Sequence, residues 1–171
     1  AILSKHSYGK SRVRLTKVTR RADRHELMEL TCNIELEGDF EVSYIAGDNS
    51  CLIATDTMKN TVYALAAEHP MTDIESFARS LAEYFLRQFS HVNGIEIAIG
   101  QDRWVRVGEN HPHAFVTGGE EKRTCQVQRN RDSKDIKLVS GIDGLVVVKT
   151  GDSAFAGFAR DRFTTLPDTL D

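Results

Sequence analysis

The sequence predicts an α+β fold, an antiparallel sheet with helices on one face. Three observations carry that reading: strict two-residue alternation over 29–37, a capped helical pattern after Pro70, and strand signals that return from Ile95 onward.

At the start of the chain, Val13 and Leu15 interleave with Arg12 and Arg14, and the phase slips by Val18. That slip places an expected β-bulge near the end of the first strand. Over 29–37, Leu30, Cys32, Ile34 and Leu36 share one face, while Glu29, Thr31, Asn33, Glu35 and Glu37 share the other. This is the pattern of a half-buried strand. Gly38-Asp39 then reads as a two-residue turn into a second strand carrying Phe40, Val42 and Tyr44, so a long hairpin is expected here.

Residues 51–54 read as a short apolar strand. Asp56 or Thr57 can cap a helix that holds Met58, Val62, Leu65 and Ala66 at helical spacing. Thr72-x-x-Glu75 has the form of a capping box, and the helix it opens places Ile74, Phe77, Ala78, Leu81, Ala82, Phe85 and Phe89 on one face. Its opposite face, with Glu75, Arg79, Glu83 and Arg87, is expected in water.

Ile95, Ile97 and Ile99, then Gly100-Gln101, then 104–107 suggest another hairpin. Further strand is expected at 113–117 and 124–128, a turn at Gly141-x-Asp143-Gly144, and a buried strand at 145–148. Asp152 or Ser153 can cap a short helical turn holding Phe155 and Phe158. The order of elements places a boundary near residue 129, with 1–129 a first domain and 130–171 the opening of a second whose remainder is absent. Within the second part, 146–152 loosely echoes 53–57 in element order.

A chain of 171 residues with 40% hydrophobic content can bury one good core. Its 22 Lys and Arg against 25 Asp and Glu give a formal charge of −3, too little field to hold nucleic acid or an anionic membrane. The apolar runs are far shorter than a membrane span and no leader pattern opens the chain, so a soluble intracellular protein is expected. Cys32, Cys51 and Cys125, an odd and widely spaced set, read as free thiols in a reducing compartment.

Five segments together carry a resemblance. They are Tyr8-Gly9-Lys10, the run from Ala54 to Thr61, His111-Pro112-His113-Ala114-Phe115, Glu121-Lys122-Arg123, and the run from Phe155 to Leu166. In this order and at these intervals the chain resembles the urate oxidase family. The resemblance implies a tunnelling fold with two consecutive ββααββ domains per subunit, a homotetramer, and active sites at subunit interfaces. It further implies oxidation of urate by O2 to 5-hydroxyisourate and H2O2 without a cofactor. The location would be cytoplasmic, or peroxisomal in a eukaryote.

By the same resemblance, Lys10 and Thr55 are the catalytic pair of a threonine-lysine-histidine proton relay. A lysine relays a proton only where its surroundings favour the neutral amine, and a threonine hydroxyl needs a basic neighbour. Thr55 and Asp56 would also bind substrate, Asp56 through its backbone N–H at a helix N-terminus, which suits an anion such as urate. Phe155 would stack on the flat purine and Leu166 would line the pocket. The family pattern then continues to an anion-gripping arginine one position beyond Asp171 and to a later glutamine, asparagine and histidine, so the site in this chain is expected to be incomplete. Two alternatives stand beside this reading. One is a zinc-dependent pterin enzyme of the same fold, with His111 and His113 as ligands, although no third ligand lies near them in sequence. The other is a non-catalytic purine-binding or assembly fragment.

Overall fold

A computed structural model describes residues 5–170 of the chain. Its core is a five-stranded antiparallel sheet in sequential order, β1 (Ser7–Arg20), β2 (His25–Gly38), β3 (Val92–Arg106), β4 (Phe115–Asn130) and β5 (Ile136–Asp143). Three helices separate β2 from β3: α1 (Glu41–Ile45), α2 (Thr55–Glu68) and α3 (Ile74–Gln88). α2 packs on β1, and α3 lies across β3 and β4. Among the described residues no helix is long and apolar enough to cross a membrane.

The alternation in β2 places Leu30, Cys32, Ile34 and Leu36 in the core beneath the helices, as expected. The same face takes Ile95, Ile97 and Ile99 from β3 and Cys125 and Val127 from β4. The other face is polar. On it Gln126 and Gln128 donate to the two carboxylate oxygens of Glu96, each at 2.6 Å. Glu29 is buried on this side, where its carboxylate accepts from Arg14 Nε at 2.5 Å and from Trp104 Nε1 at 2.9 Å. Such pairing offsets the cost of removing a charge from water.

Several expectations are overturned. Residues 40–44 do not return as a strand; β2 pairs with β1 and β3, and Glu41–Ile45 is helical. Five residues fit either period, and the decision falls to Phe40, which buries fully with its ring edge-on to Tyr8 at 4.7 Å. Residues 51–54 form no strand. α2 starts at Thr55 with Ala54 at its N-cap, so Asp56 and Thr57 lie inside the first turn rather than capping it. For α3 the cap is Asp73, whose carboxylate accepts the Ser76 N–H at 2.6 Å, while the Thr72 hydroxyl merely supports Asp73. Glu75 is not in water: it accepts from Arg123 at 2.8 Å and from Ser140 at 2.7 Å, tying α3 to β4 and β5. The remaining core face of α3 is as expected, with Ile74, Phe77, Ala78, Leu81, Ala82 and Phe85 buried.

Nor does the chain turn at Gly100-Gln101. β3 runs through both residues because β2 and β4 pair with them on either side. The reversal comes at 107–114, and β4 is one long strand with an irregularity between Thr117 and Lys122. The expected bulge in β1 exists, but at Ser11 and Arg12 rather than near Val18: Lys10 pairs with Ile34 and Val13 with Cys32. Arg12 adopts φ 58° there, and its N–H donates to the Asn33 side chain at 2.8 Å.

β5 carries the sheet past residue 129 and continues through Gly141, where a turn was expected. Beyond it, 145–148 is neither strand nor buried; Val146 is 84% exposed. The expected helical turn at Asp152 and Ser153 is likewise absent, and Phe155 instead forms an isolated bridge with Thr169. An apolar run becomes a strand only where a neighbour offers it a ladder, and among the described residues no strand pairs with 145–148, which follow the end of β5, the last strand of the sheet.

Candidate active site

Lys10 stands on β1 opposite Ile34, whose side chain is buried toward the helices. Directly paired residues of an antiparallel ladder share a face, so Lys10 projects on the helix side at the edge of the sheet. The bulge at Ser11 and Arg12 follows at once, and a bulge bends its strand and re-aims the side chains beside it. On the other side of Lys10, Gly9 presses against the β2 backbone. An open groove of about 480 Å³ passes Lys10, but it is walled by Asn33, Glu35, Glu96 and Ala98 and so belongs largely to the polar face.

Thr55 and Asp56 are the first two residues of α2, and both are exposed. Met58 N–H bonds Ala54 C=O at 3.2 Å, so the N–H groups of Thr55, Asp56 and Thr57 precede the first intrahelical bond. The Asp56 carboxylate accepts from Lys59 and from Asn60, the latter at 2.9 Å. The hydrogen bond and charge of Lys59 hold this carboxyl below its usual range, and the positive charge of Lys10 acts in the same direction. β1, which carries Lys10, and α2 are packed neighbours. One tyrosine joins the two segments. The Ile53 N–H donates to the Tyr8 hydroxyl at 2.6 Å, and that hydroxyl donates to the Ile53 carbonyl at 3.2 Å.

Phe155 and Leu166 belong to a separate unit. The Phe155 ring stacks on Phe158 at 4.7 Å and 10°, and its backbone exchanges two 2.9 Å bonds with Thr169. Arg160 lies over Phe158, donates to the Leu166 carbonyl at 2.9 Å, and pairs with Asp168 at 2.7 Å. Both Phe155 and Leu166 are about half exposed. Among the described residues no hydrogen bond, ion pair or ring contact joins this unit to Lys10, Thr55 or Asp56. Of the five expected site residues, Lys10 stands on β1, Thr55 and Asp56 open the helix packed against β1, and Phe155 and Leu166 lie in the C-terminal segment. Tyr8, Asn33 and Ile53, which hold the Lys10 side in place, have no local signal in the sequence beyond the Tyr-Gly-Lys triplet.

The histidines at the β3–β4 turn make local contacts. His111 Nδ1 accepts the backbone N–H groups of His113 and Ala114 at 3.1 and 3.0 Å, closing the turn. Among the described residues no group of three or more His, Cys, Asp or Glu is arranged to hold a metal ion.

A sequential antiparallel sheet whose middle connection carries the helices, with α2 and α3 packed over one core, defines an α+β protein of the tunnelling-fold class. A family model described as Uricase matches residues 6–128, and the chain belongs to the uricase family. It is 43% identical over 170 residues to a uricase from Arthrobacter globiformis, covering 99% of this chain and 55% of that protein. Against a uricase from Aspergillus flavus the identity is 39%, with 96% of this chain and 56% of the relative covered. The crystal structure of the Arthrobacter globiformis uricase superposes with a TM-score of 0.86 at 42% identity, over 100% of this chain and 58% of that one. A hyperthermostable mutant of Bacillus sp. TB-90 urate oxidase matches at TM-score 0.75 and 28% identity, over 96% and 63% of the two chains. The chain spans about half the length of the curated relatives it matches.

Proposed function

We propose that this chain supplies the lysine-threonine part of a urate oxidase active site, completed by residues outside it. The observation that carries the reading is the Tyr8–Ile53 hydrogen-bond pair, which ties the strand bearing Lys10 to the segment leading into Thr55, in a chain of the uricase family. Lys10 and Thr55 would form a proton relay, with the Thr55 hydroxyl between the amine and the purine. The N–H groups at the start of α2 would receive the urate anion, where the unpaired donors and the helix dipole favour negative charge. Removing a proton raises the electron density of the ring, and electrons then pass from urate to O2. Addition of water at the oxidised purine carbon gives 5-hydroxyisourate, so that urate, O2 and water become 5-hydroxyisourate and H2O2. Urate is itself the reductant, which is why the proposed chemistry calls for no flavin or metal.

The separation of Phe155 and Leu166 from Lys10 and Thr55 fits a site shared between subunits of a homotetramer. Phe155 would stack on the purine held by the Lys10 side of a neighbouring copy, and Leu166 would line the same pocket. In this reading 1–129 is a first tunnelling-fold domain and 130–171 opens a second, with β5 as its first strand. The free state of Cys32, Cys51 and Cys125 supports a reducing location, the cytoplasm or, in a eukaryote, the peroxisome.

The test is made in the complete subunit. Lys10→Ala and Thr55→Ala are each expected to lower kcat for urate by about 100-fold or more, the usual scale of lost acid–base catalysis, with the Kd of a urate analogue little changed. Equal losses in kcat and analogue binding would reassign both residues to gripping the ring. Chelators are expected to leave the rate unchanged; a rate that falls with chelation and returns with zinc would favour a metal-dependent enzyme instead.

A further inference from the structure

We infer that Tyr8 is a positioning residue for the proton relay, its hydroxyl setting where Thr55 stands relative to Lys10. The inference rests on the assignment of Lys10 and Thr55 proposed above.

Tyr8 precedes Lys10 by two residues on the same face of β1, and Ile53 precedes Thr55 by two. Between them the single phenolic oxygen accepts the Ile53 N–H at 2.6 Å and donates to the Ile53 carbonyl at 3.2 Å. Ile53 is buried and lies in neither helix nor strand, so its backbone groups need partners from outside any ladder. Tyr8 provides both at once, in effect a one-residue ladder between β1 and the approach to α2. The ring itself is fixed by the edge of Phe40, at 4.7 Å and 88°. On the far side of Lys10, Asn33 holds the bulge through the Arg12 N–H. Lys10 is therefore flanked on both sides by residues hydrogen-bonded to neighbouring segments, and the Tyr8 side also carries the chain segment that leads into Thr55.

The hydroxyl is a durable pin. Burial raises the Tyr8 phenol above its ordinary pKa, so it remains protonated, donating and accepting, throughout the range in which an oxidase works. Tyr8→Phe keeps the ring against Phe40 and removes only the oxygen. The Ile53 N–H and C=O then lose their partner, and the start of α2 is free to shift against β1. A displacement of about 1 Å at a reacting group costs roughly 100-fold in rate.

The experiment compares wild type, Tyr8→Phe, Thr55→Ala and the double variant in the complete tetrameric enzyme. Tyr8→Phe is expected to lose about ten- to a hundredfold in kcat, to bind a urate analogue within about threefold of wild type, and to shift the acid limb of the kcat–pH profile. The double variant is expected to be no slower than Thr55→Ala alone, since a residue that acts by placing Thr55 has nothing left to place. Replacing Tyr8 with 4-aminophenylalanine, which keeps a hydrogen-bonding group at the same ring position, is expected to recover most of the lost rate, and it also serves if Tyr8→Phe fails to assemble. A wild-type kcat in Tyr8→Phe beside a crippled Thr55→Ala would overturn the inference while leaving the relay intact. Losses that multiply in the double variant, or no recovery with the amino analogue, would also overturn it. An unimpaired Thr55→Ala would instead sink the relay itself.

Discussion

Gly9 packs so closely on Ile34 that a β-carbon at position 9 would stand 1.9 Å from the Ile34 carbonyl oxygen. The obstacle is backbone, which cannot swing aside as a side chain does. Gly9→Ala is therefore expected to push β1 away from β2 beside Lys10, at a stability cost on the order of 1–3 kcal/mol, the scale of overpacking. Urea denaturation of the complete enzyme would show the loss, and urate turnover is expected to fall with it. Unchanged stability and rate would mean that β1 moves freely there and that Lys10 is not held by its strand.

At one end of the sheet the β1–β2 and β3–β4 connections meet through His25 and His113, whose ring centroids lie 4.4 Å apart. Arg106 fastens the same corner, donating to the carbonyls of His25, His111 and Pro112, and Glu26 pairs with Arg21 and Arg24 nearby. Desolvation first, then the charges of His113 and Arg20, lower the pKa of His25 below its ordinary 6.5. Above that value both folded and unfolded states carry a neutral ring, and there is no effect. As pH falls through 6.5 toward the lower folded pKa, the unfolded chain takes up the proton more readily, so stability declines. The urea midpoint is expected to drop between pH 7 and 5.5, and to drop less in His113→Asn. Parallel profiles for the two proteins would remove His113 from the account.

Burial pushes the Cys32 thiol up to about 12 and the Cys125 thiol to about 11, whereas Cys51 is only half-buried. Because the thiolate is the reacting species, the native protein is expected to offer Cys51 alone to a thiol reagent, and all three after denaturation. Rapid modification of Cys32 without unfolding would contradict the packing of β2 beneath the helices.

What could be read from the sequence followed the length and purity of each pattern. α3 keeps a helical period for four turns and β2 alternates without a break, so both stand where expected, although the cap fell to Asp73 rather than Thr72. Phe40 with its neighbours was too short to decide between periods, and Gly100-Gln101 resembled a turn until two flanking strands held it straight. The run 145–148 illustrates the converse, an apolar strand pattern left unpaired and exposed. The site is less local still. Lys10 and Thr55 were assigned through the family resemblance, and the bond that relates their segments joins residues 45 apart in sequence, for which neither periodicity nor capping leaves a trace.

Urate-dependent oxygen uptake by the 171-residue chain, alone and then with the C-terminal portion of a uricase supplied as a separate polypeptide, decides whether the site is shared and driven by Lys10. The chain holds the proposed site residues Lys10, Thr55 and Phe155 and the α2 N-terminus, but among the described residues no hydrogen bond, ion pair or ring contact joins Phe155 to the others. Alone, it is expected to consume no oxygen with urate; with the complementing polypeptide, oxygen uptake and H2O2 release are expected to appear together, and to vanish again with Lys10→Ala. Robust turnover by the isolated chain, or an active complemented assembly indifferent to Lys10→Ala, would contradict the shared, lysine-driven site.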